Sequence, residues 1–284
     1  MALVFRWMGP ADKQRKGTMG KDVEIRVLGP LQVTVAGRCV QVPDGKPRTL
    51  LGALIARAGH LVSFDRLADL IWDQRPPERT AAALQTCAWR LRRSLGVDVI
   101  STHPHGYRLN DSETRVDLIR FHQLLTSAAA ARSARSPAER DHLTEALALW
   151  RGPAFVDIPS SPLRDEIVPP LTDEERLAAY ERRIDLDLNR GLADRAIAEL
   201  RTLIGEHPLR ESLWSRLLKA LALAGRPAEA LAAYHDFRGK LVDQLGVEPG
   251  GQLSSAYLRL LTPLPRAAEP AITRPRRHNQ RPYA

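Results

Sequence analysis

Between Glu78 and Asp98 the chain carries four arginines, Arg79, Arg90, Arg92 and Arg93, and not one acid. Gln85, Thr86 and Trp89 are interleaved with them. Arginine can donate two parallel hydrogen bonds to guanine and glutamine can pair likewise with adenine, provided a helix carries them into the major groove of B-DNA. On a helical wheel Ala81, Leu84, Ala88, Leu91 and Leu95 gather on one face, which is expected to be core. The opposite face presents Arg79, Ala82, Thr86, Trp89, Arg90 and Arg93, with Gln85 and Arg92 at its edge. A solvated charged face is the alternative, but Ala, Thr and Trp do nothing for solvation. Arginines towards the helix ends are placed to hold phosphates instead. An exposed Trp89 can stack on a sugar, touch a thymine methyl or pack against the neighbouring hairpin. Cys87, on the core flank, reads as a small buried hydrophobe.

Two further groups belong to the same chemistry. A hairpin of Val97–Thr102 and Tyr107–Leu109, turning across His103-Pro104-His105-Gly106, offers His105, Tyr107 and Arg108 for phosphate or minor-groove contact. Tyr107 fits a core position equally well. His103 and His105 have the spacing of a metal pair, but no third ligand accompanies them and no metal or other cofactor is expected. Lys46 and Arg48 precede the first helix, where outward backbone amides make a phosphate anchor; two plain surface cations are the other reading. The expected DNA-binding set is therefore Lys46, Arg48, Arg79, Thr80, Gln85, Thr86, Trp89, Arg90, Arg92, Arg93, His105, Tyr107 and Arg108.

The elements that must position these residues are legible from periodicity. Val23, Ile25 and Val27 alternate, as do Leu31, Val33 and Val35, with turns at Gly29-Pro30 and Ala36-Gly37. Cys39, Val40 and Val42 predict a third strand. Helices follow over Arg48–Ala58, over Phe64–Trp72 capped by Ser63, and from Thr80, as cap, to Gly96. Strands, three helices and a closing hairpin within about 90 residues describe a winged helix-turn-helix. After Asp117 the strand signal vanishes. Helices are predicted over Val116–Ala131, Pro137–Trp150, Asp173–Asn189, Ala193–Ile204, Glu211–Leu223, Ala228–Leu245 and Gln252–Leu261. Six pairs 34 residues apart (Tyr180 and Trp214, Ile184 and Leu218, Gly191 and Gly225, Ala196 and Ala230, Ile197 and Leu231, Leu200 and Tyr234) mark the tetratricopeptide period. The fold class is thus mixed, an α+β winged helix followed by an all-α tetratricopeptide-like domain. The expected domains are a disordered basic leader at 1–21, a winged helix at 22–112, the helical domain at 115–262 and a disordered Pro/Arg-rich tail at 263–284. Met19 is an alternative translation start.

Composition narrows the function classes. The 284 residues carry a net charge of +9, with 36 Arg against 6 Lys. That balance points to nucleic acid, although a GC-rich genome also favours Arg codons. The leader and tail each hold +4 of it, so the body is nearly neutral. Two cysteines, Cys39 and Cys87, exclude a disulfide framework or a Cys-rich zinc site. Every apolar run is broken by charge well short of a membrane span, and no secretory segment is read, so a cytoplasmic, nucleoid-associated protein is expected. No nucleophile–base pair or Gly-rich phosphate loop occurs. The acids Asp173-Glu174-Glu175 suit a helix N-terminus, and no enzyme is expected.

The residues resemble the SARP family of actinomycete antibiotic regulatory proteins. The carriers are Arg48–Leu54 with Val62–Trp72, Leu84-Gln85-Thr86 followed by Arg90–Gly96, and Gly106-Tyr107-Arg108-Leu109. Further along they are Val116-Asp117 with Phe121, Ala146–Pro153, His207–Glu211, Gly225–Tyr234 and Leu245–Gly250. The resemblance covers about residues 22–262. It implies an OmpR-type DNA-binding domain joined to a bacterial transcriptional activator domain. It further implies side-by-side protomers, as a homodimer on DNA, on direct repeats near a promoter −35 element. RNA polymerase would be recruited there through its sigma and alpha subunits, usually at antibiotic or other secondary-metabolite clusters. By position it makes Thr86 and Arg90 the major-groove readers, with Arg92 and Arg93 on backbone or bases. Trp89 departs from the family's usual Ser or Tyr, and His105 from its second wing proline. Neither a receiver domain nor a P-loop is read here, so control is expected from abundance, a ligand or a partner. The rival reading is a helical-repeat interaction scaffold with a basic DNA anchor.

Overall fold

The computed structural model describes residues 23–73, 75–110 and 114–261, with only the backbone described over 166–172. The expected disordered leader and tail lie outside the described residues. In chain order the first elements are β1 (Val23–Arg26), β2 (Gln32–Val35), β3 (Arg38–Cys39), α1 (Lys46–Ala56), β4 (Val62–Ser63), α2 (Phe64–Trp72) and α3 (Thr80–Leu95). They are followed by β5 (Ile100–His103), β6 (Gly106–Leu109), β7 (Thr114–Val116), α4 (Asp117–Ser133) and α5 (Ala138–Ala148). A long helix, α6 (Val168–Asn189), leads to α7 (Ala193–Glu206), α8 (Glu211–Leu223), α9 (Pro227–Leu245) and α10 (Gly251–Leu261). The winged helix and the tetratricopeptide-like helices are both present, as the fold class requires.

Local sequence explains the elements. In β1, Val23 and Ile25 are buried, while Glu24 and Arg26 stay outside and pair with one another at 2.7 Å. α1 is apolar nearly all round, with Pro47 and every residue from Thr49 to Ile55 buried, as suits a central helix. Ser63 caps α2 by accepting the Arg66 amide at 3.3 Å, as expected. Thr80 does not cap α3. It is the first helical residue, Arg79 holds the cap position without a side-chain bond, and the Thr80 hydroxyl instead donates to the Pro77 carbonyl at 2.6 Å.

Several expectations shift. Val97–Val99 form a 3₁₀ turn, so the first hairpin strand begins only at Ile100. The third strand stops at Cys39. Ala81 is exposed, because the core begins one turn later at Leu84; Cys87, Ala88, Leu91 and Leu95 are buried as expected. The sequence pattern also missed β7, only three residues long, which lies parallel to β1 and closes a sheet of order β3-β2-β1-β7. β4, β6 and β5 form the second sheet, with β6 in the middle.

By packing, the chain divides into two compact units between Tyr180 and Glu181, so the first helices after residue 115 pack with the winged helix. The reason is a clamp at the start of α4. The Asp117 carboxylate accepts the Val27 amide at 2.9 and 3.0 Å and the Leu28 amide at 3.0 Å. Backbone bonds from Arg151 to the Leu28 carbonyl and from Phe155 to the Val27 carbonyl, both 2.8 Å, lay a second strap on the same turn. Gly29 permits this approach: its φ is +138°, and a Cβ there would stand 3.0 Å from the Arg151 Cβ. Asp157 accepts the Leu31 amide at 2.9 Å, and Ser160 donates to the Leu70 carbonyl at 2.7 Å. One hydrophobic core accordingly runs from Val23 through α1 and α3 to Phe121, Phe155 and Leu163.

The described elements of the unit beginning at Glu181 are all helices. Gly191 and Gly225 adopt φ of +78° and +72° at equivalent helix ends, one repeat apart. Ile184 and Leu218, Ala196 and Ala230, and Leu200 and Tyr234 are buried pairwise. Arg216 binds Asp185 at 2.9 Å, tying α8 to α6.

Burial pushes the Asp117 carboxyl above its ordinary range, and the Val27 and Leu28 amides with the Arg151 guanidinium offset this only in part. The folded chain therefore holds this proton more tightly than the unfolded chain. The resulting stability is complete in acid and is lost as pH rises through the raised value. Asp117→Ala leaves two buried amides unpaired and should cost about 3 kcal/mol in urea unfolding. It should also remove that pH dependence, whereas loss of neither would refute the clamp.

Candidate nucleic-acid interface

Helix α3 rests on the core through Leu84, Cys87, Ala88, Leu91 and Leu95. That fixes its rotation and turns Gln85, Thr86, Trp89, Arg90 and Arg93 outward, all of them exposed. Trp89 is 57% exposed, unusual for so large an apolar side chain. The Arg93 guanidinium lies over its ring, 5.5 Å from the centroid. The Thr86 hydroxyl donates to the Ala82 carbonyl at 2.9 Å, which leaves its oxygen free to accept. Arg79 stands exposed before the first turn. Neither Arg79, Arg90 nor Arg93 has an acidic partner among the described residues.

Arg92 differs from its neighbours. Its Nε and Nη2 donate to the Ile100 carbonyl at 3.1 and 2.9 Å, and Nη2 also reaches the Thr102 hydroxyl at 2.6 Å. The guanidinium thus fastens β5 to α3, and it sits 5.8 Å from the Tyr107 ring. In this structure Arg92 braces the wing, a task that its expected place on DNA does not include. Tyr107 is likewise core: 2% exposed, it meets Phe64 edge-on at 5.4 Å, so it is withdrawn from the contact set.

The wing itself is a β5–β6 hairpin with Pro104 and His105 exposed at its tip. β6 is held from behind by β4, and Gly106 makes this possible: a Cβ there would lie 2.0 Å from the Val62 carbonyl oxygen. The Phe64 amide donates to the His105 carbonyl at 3.0 Å, so His105 projects from a fixed backbone. Arg108 is half-buried, with its Nε shielded from solvent and without a partner among the described residues. The His103 ring bonds the Ser101 hydroxyl at 3.2 Å, and no metal-type cluster of three ligands occurs among the described residues.

Lys46 and Arg48 separate. Lys46 is exposed, with its ammonium 4.6 Å above the Trp72 ring. Its charge and that of Arg90 both act on the Cys87 thiol, which burial nevertheless pushes upward, so Lys46 shares the neighbourhood of α3. Arg48 is paired, with Asp44 at 2.6 Å and Asp157 at 3.5 Å, where the sequence offered a free phosphate anchor. Two exposed cations that the periodicity did not flag, Arg66 on α2 and Arg75 in the turn before α3, also lack acidic partners among the described residues. The Pro76-Pro77 break beside Arg75 was the available signal.

Arg92→Ala tests the division of labour. It should lower thermal stability and hydrogen-exchange protection of Ile100–Leu109, yet leave the salt dependence of DNA binding unchanged, because no phosphate contact is lost. A shallower salt slope with unaltered wing protection would return Arg92 to the DNA.

Residues 116–261 match the bacterial transcriptional activator domain. The regulatory protein AfsR of Streptomyces coelicolor is 36% identical over 262 residues, covering 92% of this chain but 26% of that protein. EmbR of Mycobacterium tuberculosis is 34% identical over 261 residues, 87% of this chain and 66% of its own. DnrI of Streptomyces peucetius is 32% identical over 270 residues, 89% and 95% of the two chains. This chain therefore spans about a quarter of AfsR and two thirds of EmbR. The solved structure of M. tuberculosis EmbR in complex with a low-affinity phosphopeptide aligns with a TM-score of 0.75 at 33% identity, over 86% of this chain and 67% of that one. By name these relatives are regulators of transcription or regulatory proteins, and no helix among the described residues is long and apolar enough to cross a membrane. With a matching domain over half its length and a relative aligned nearly end to end, the chain belongs to the SARP family of regulators that carry the bacterial transcriptional activator domain.

Proposed function

We propose that the protein is a sequence-specific DNA-binding transcriptional activator whose α3 reads the major groove. The observation that carries this reading is the acid-free face of Gln85, Thr86, Trp89, Arg90 and Arg93, turned outward by a buried opposite face and flanked by a rigid wing. A helix fits the major groove, and these side chains suit guanine, adenine and thymine edges. Arg79, Lys46 and the wing tip at His105 then serve the phosphates, with Arg108 beside them. Thr80 lies at the helix start, where its hydroxyl oxygen can still accept but its proton is spent on Pro77.

By kinship with antibiotic regulators, the sites are direct repeats near a promoter −35 element, occupied by two protomers side by side about one helical turn apart. There the protein recruits RNA polymerase through sigma and alpha subunits and switches on a secondary-metabolite cluster. A cytoplasmic, nucleoid-associated location follows from that role. A scaffold with a basic anchor has no use for an ordered face of Gln, Thr and Arg, and is the weaker reading.

Arg90→Ala should weaken operator binding by about 1–3 kcal/mol in a mobility-shift assay at fixed salt, with specificity relaxed at one position of each repeat. Binding equal to wild type would displace α3 from the groove.

A further inference from the structure

Trp89 is the only exposed aromatic side chain of Phe, Tyr or Trp type among the described residues. It lies on a face otherwise made of Gln, Thr, Arg and Ala, outside the hydrophobic core, and its described ring partner is Arg93 on its own helix. Packing against the wing therefore does not account for it. Trp89 is the tenth residue of a sixteen-residue helix, and Arg93 leans back from the last turn over its ring, so the two side-chain ends meet near the middle of the face. The middle of a helix in the major groove meets base edges, and the apolar group on those edges is the thymine 5-methyl.

Resting on the groove reading above, we infer that Trp89 and Arg93 act as one recognition unit, the indole taking a thymine methyl and the guanidinium a neighbouring guanine. Stacking on the indole holds Arg93 in place before DNA arrives, so less side-chain freedom is lost on binding. Trp89 and Arg93 are four residues apart, about 6 Å along the helix axis, a separation of one to two stacked bases. The preferred site should accordingly carry a thymine within two base pairs of a guanine in each repeat.

The test uses the full chain and a duplex enriched by it from a randomised pool. Each thymine of that duplex is replaced in turn by deoxyuridine, which removes only the methyl, and affinity is read by fluorescence anisotropy at constant salt. At one thymine per repeat the wild type should lose about fourfold, the worth of one buried methyl group, while Trp89→Ala should be indifferent to the same replacement. Trp89 is exposed, so this variant keeps the fold. Deoxyuridine tolerated at every position by a wild type that still selects its duplex would overturn the inference and leave the groove reading standing. A methyl effect of equal size in Trp89→Ala would also overturn it, by assigning the contact to another side chain. Failure of the pool to enrich any sequence would overturn the groove reading and this inference together.

Discussion

A single buried carboxylate holds the architecture together. Asp117 is the first residue of α4, yet it accepts the amides of Val27 and Leu28, about 90 residues earlier, at the end of β1. Those two amides emerge from the sheet with no strand partner, and a buried unpaired amide costs more than an ordinary hydrogen bond returns. Once α4 is seated there, β7 is drawn alongside β1, Phe121 reaches Trp150 edge-on at 5.4 Å, and the chain from Arg151 to Ser160 closes over the same turn. Gly52 lets that segment pack against α1, since a Cβ there would meet Leu163 at 3.0 Å and Ile158 at 3.1 Å. The position of α1, and so of α3 packed beside it, is thereby tied to residues far outside the winged helix.

This coupling explains how a small domain presents a well-defined recognition face. α3 has only five buried side chains with which to fix its rotation, and about 90 residues make a modest core. Extending the core to Phe155, Ile158 and Leu163 enlarges it without adding anything to the exposed face. Arg92 performs the corresponding task for the wing, using a cation that sequence alone assigns to DNA. Of the arginines in α3, one is structural and two, Arg90 and Arg93, stand ready at the surface.

The sequence disclosed the elements but not the seams between them. Alternation and 3.6-residue periodicity located α2, α8 and the hairpin because each buries one clear face. Repeat spacing located the tetratricopeptide-like part because Gly191 and Gly225 recur with the same backbone need. That the start of the helical domain packs with the winged helix is not legible, because periodicity carries no sign of a carboxylate–amide contact across 90 residues, and a three-residue strand such as β7 has too few positions to show alternation. On α3, Gln85, Thr86, Trp89 and Arg90 were legible from the wheel as outward-facing residues. Arg48, Arg92 and Tyr107 were not, since a cation or a tyrosine has the same letter whether it faces DNA or an internal carbonyl. The partners Asp157, Ile100 and Phe64 decide between these fates, and only the folded chain brings them together.

The central claim is that α3 enters the major groove. Dimethyl sulfate methylates guanine N7, the acceptor on the major-groove edge that an arginine there would engage. Methylation interference on a duplex enriched by the full chain measures this directly. The account predicts that methylated guanines block binding at two clusters about one helical turn apart, on one face of the duplex. Binding that ignores N7 methylation at every guanine would contradict it.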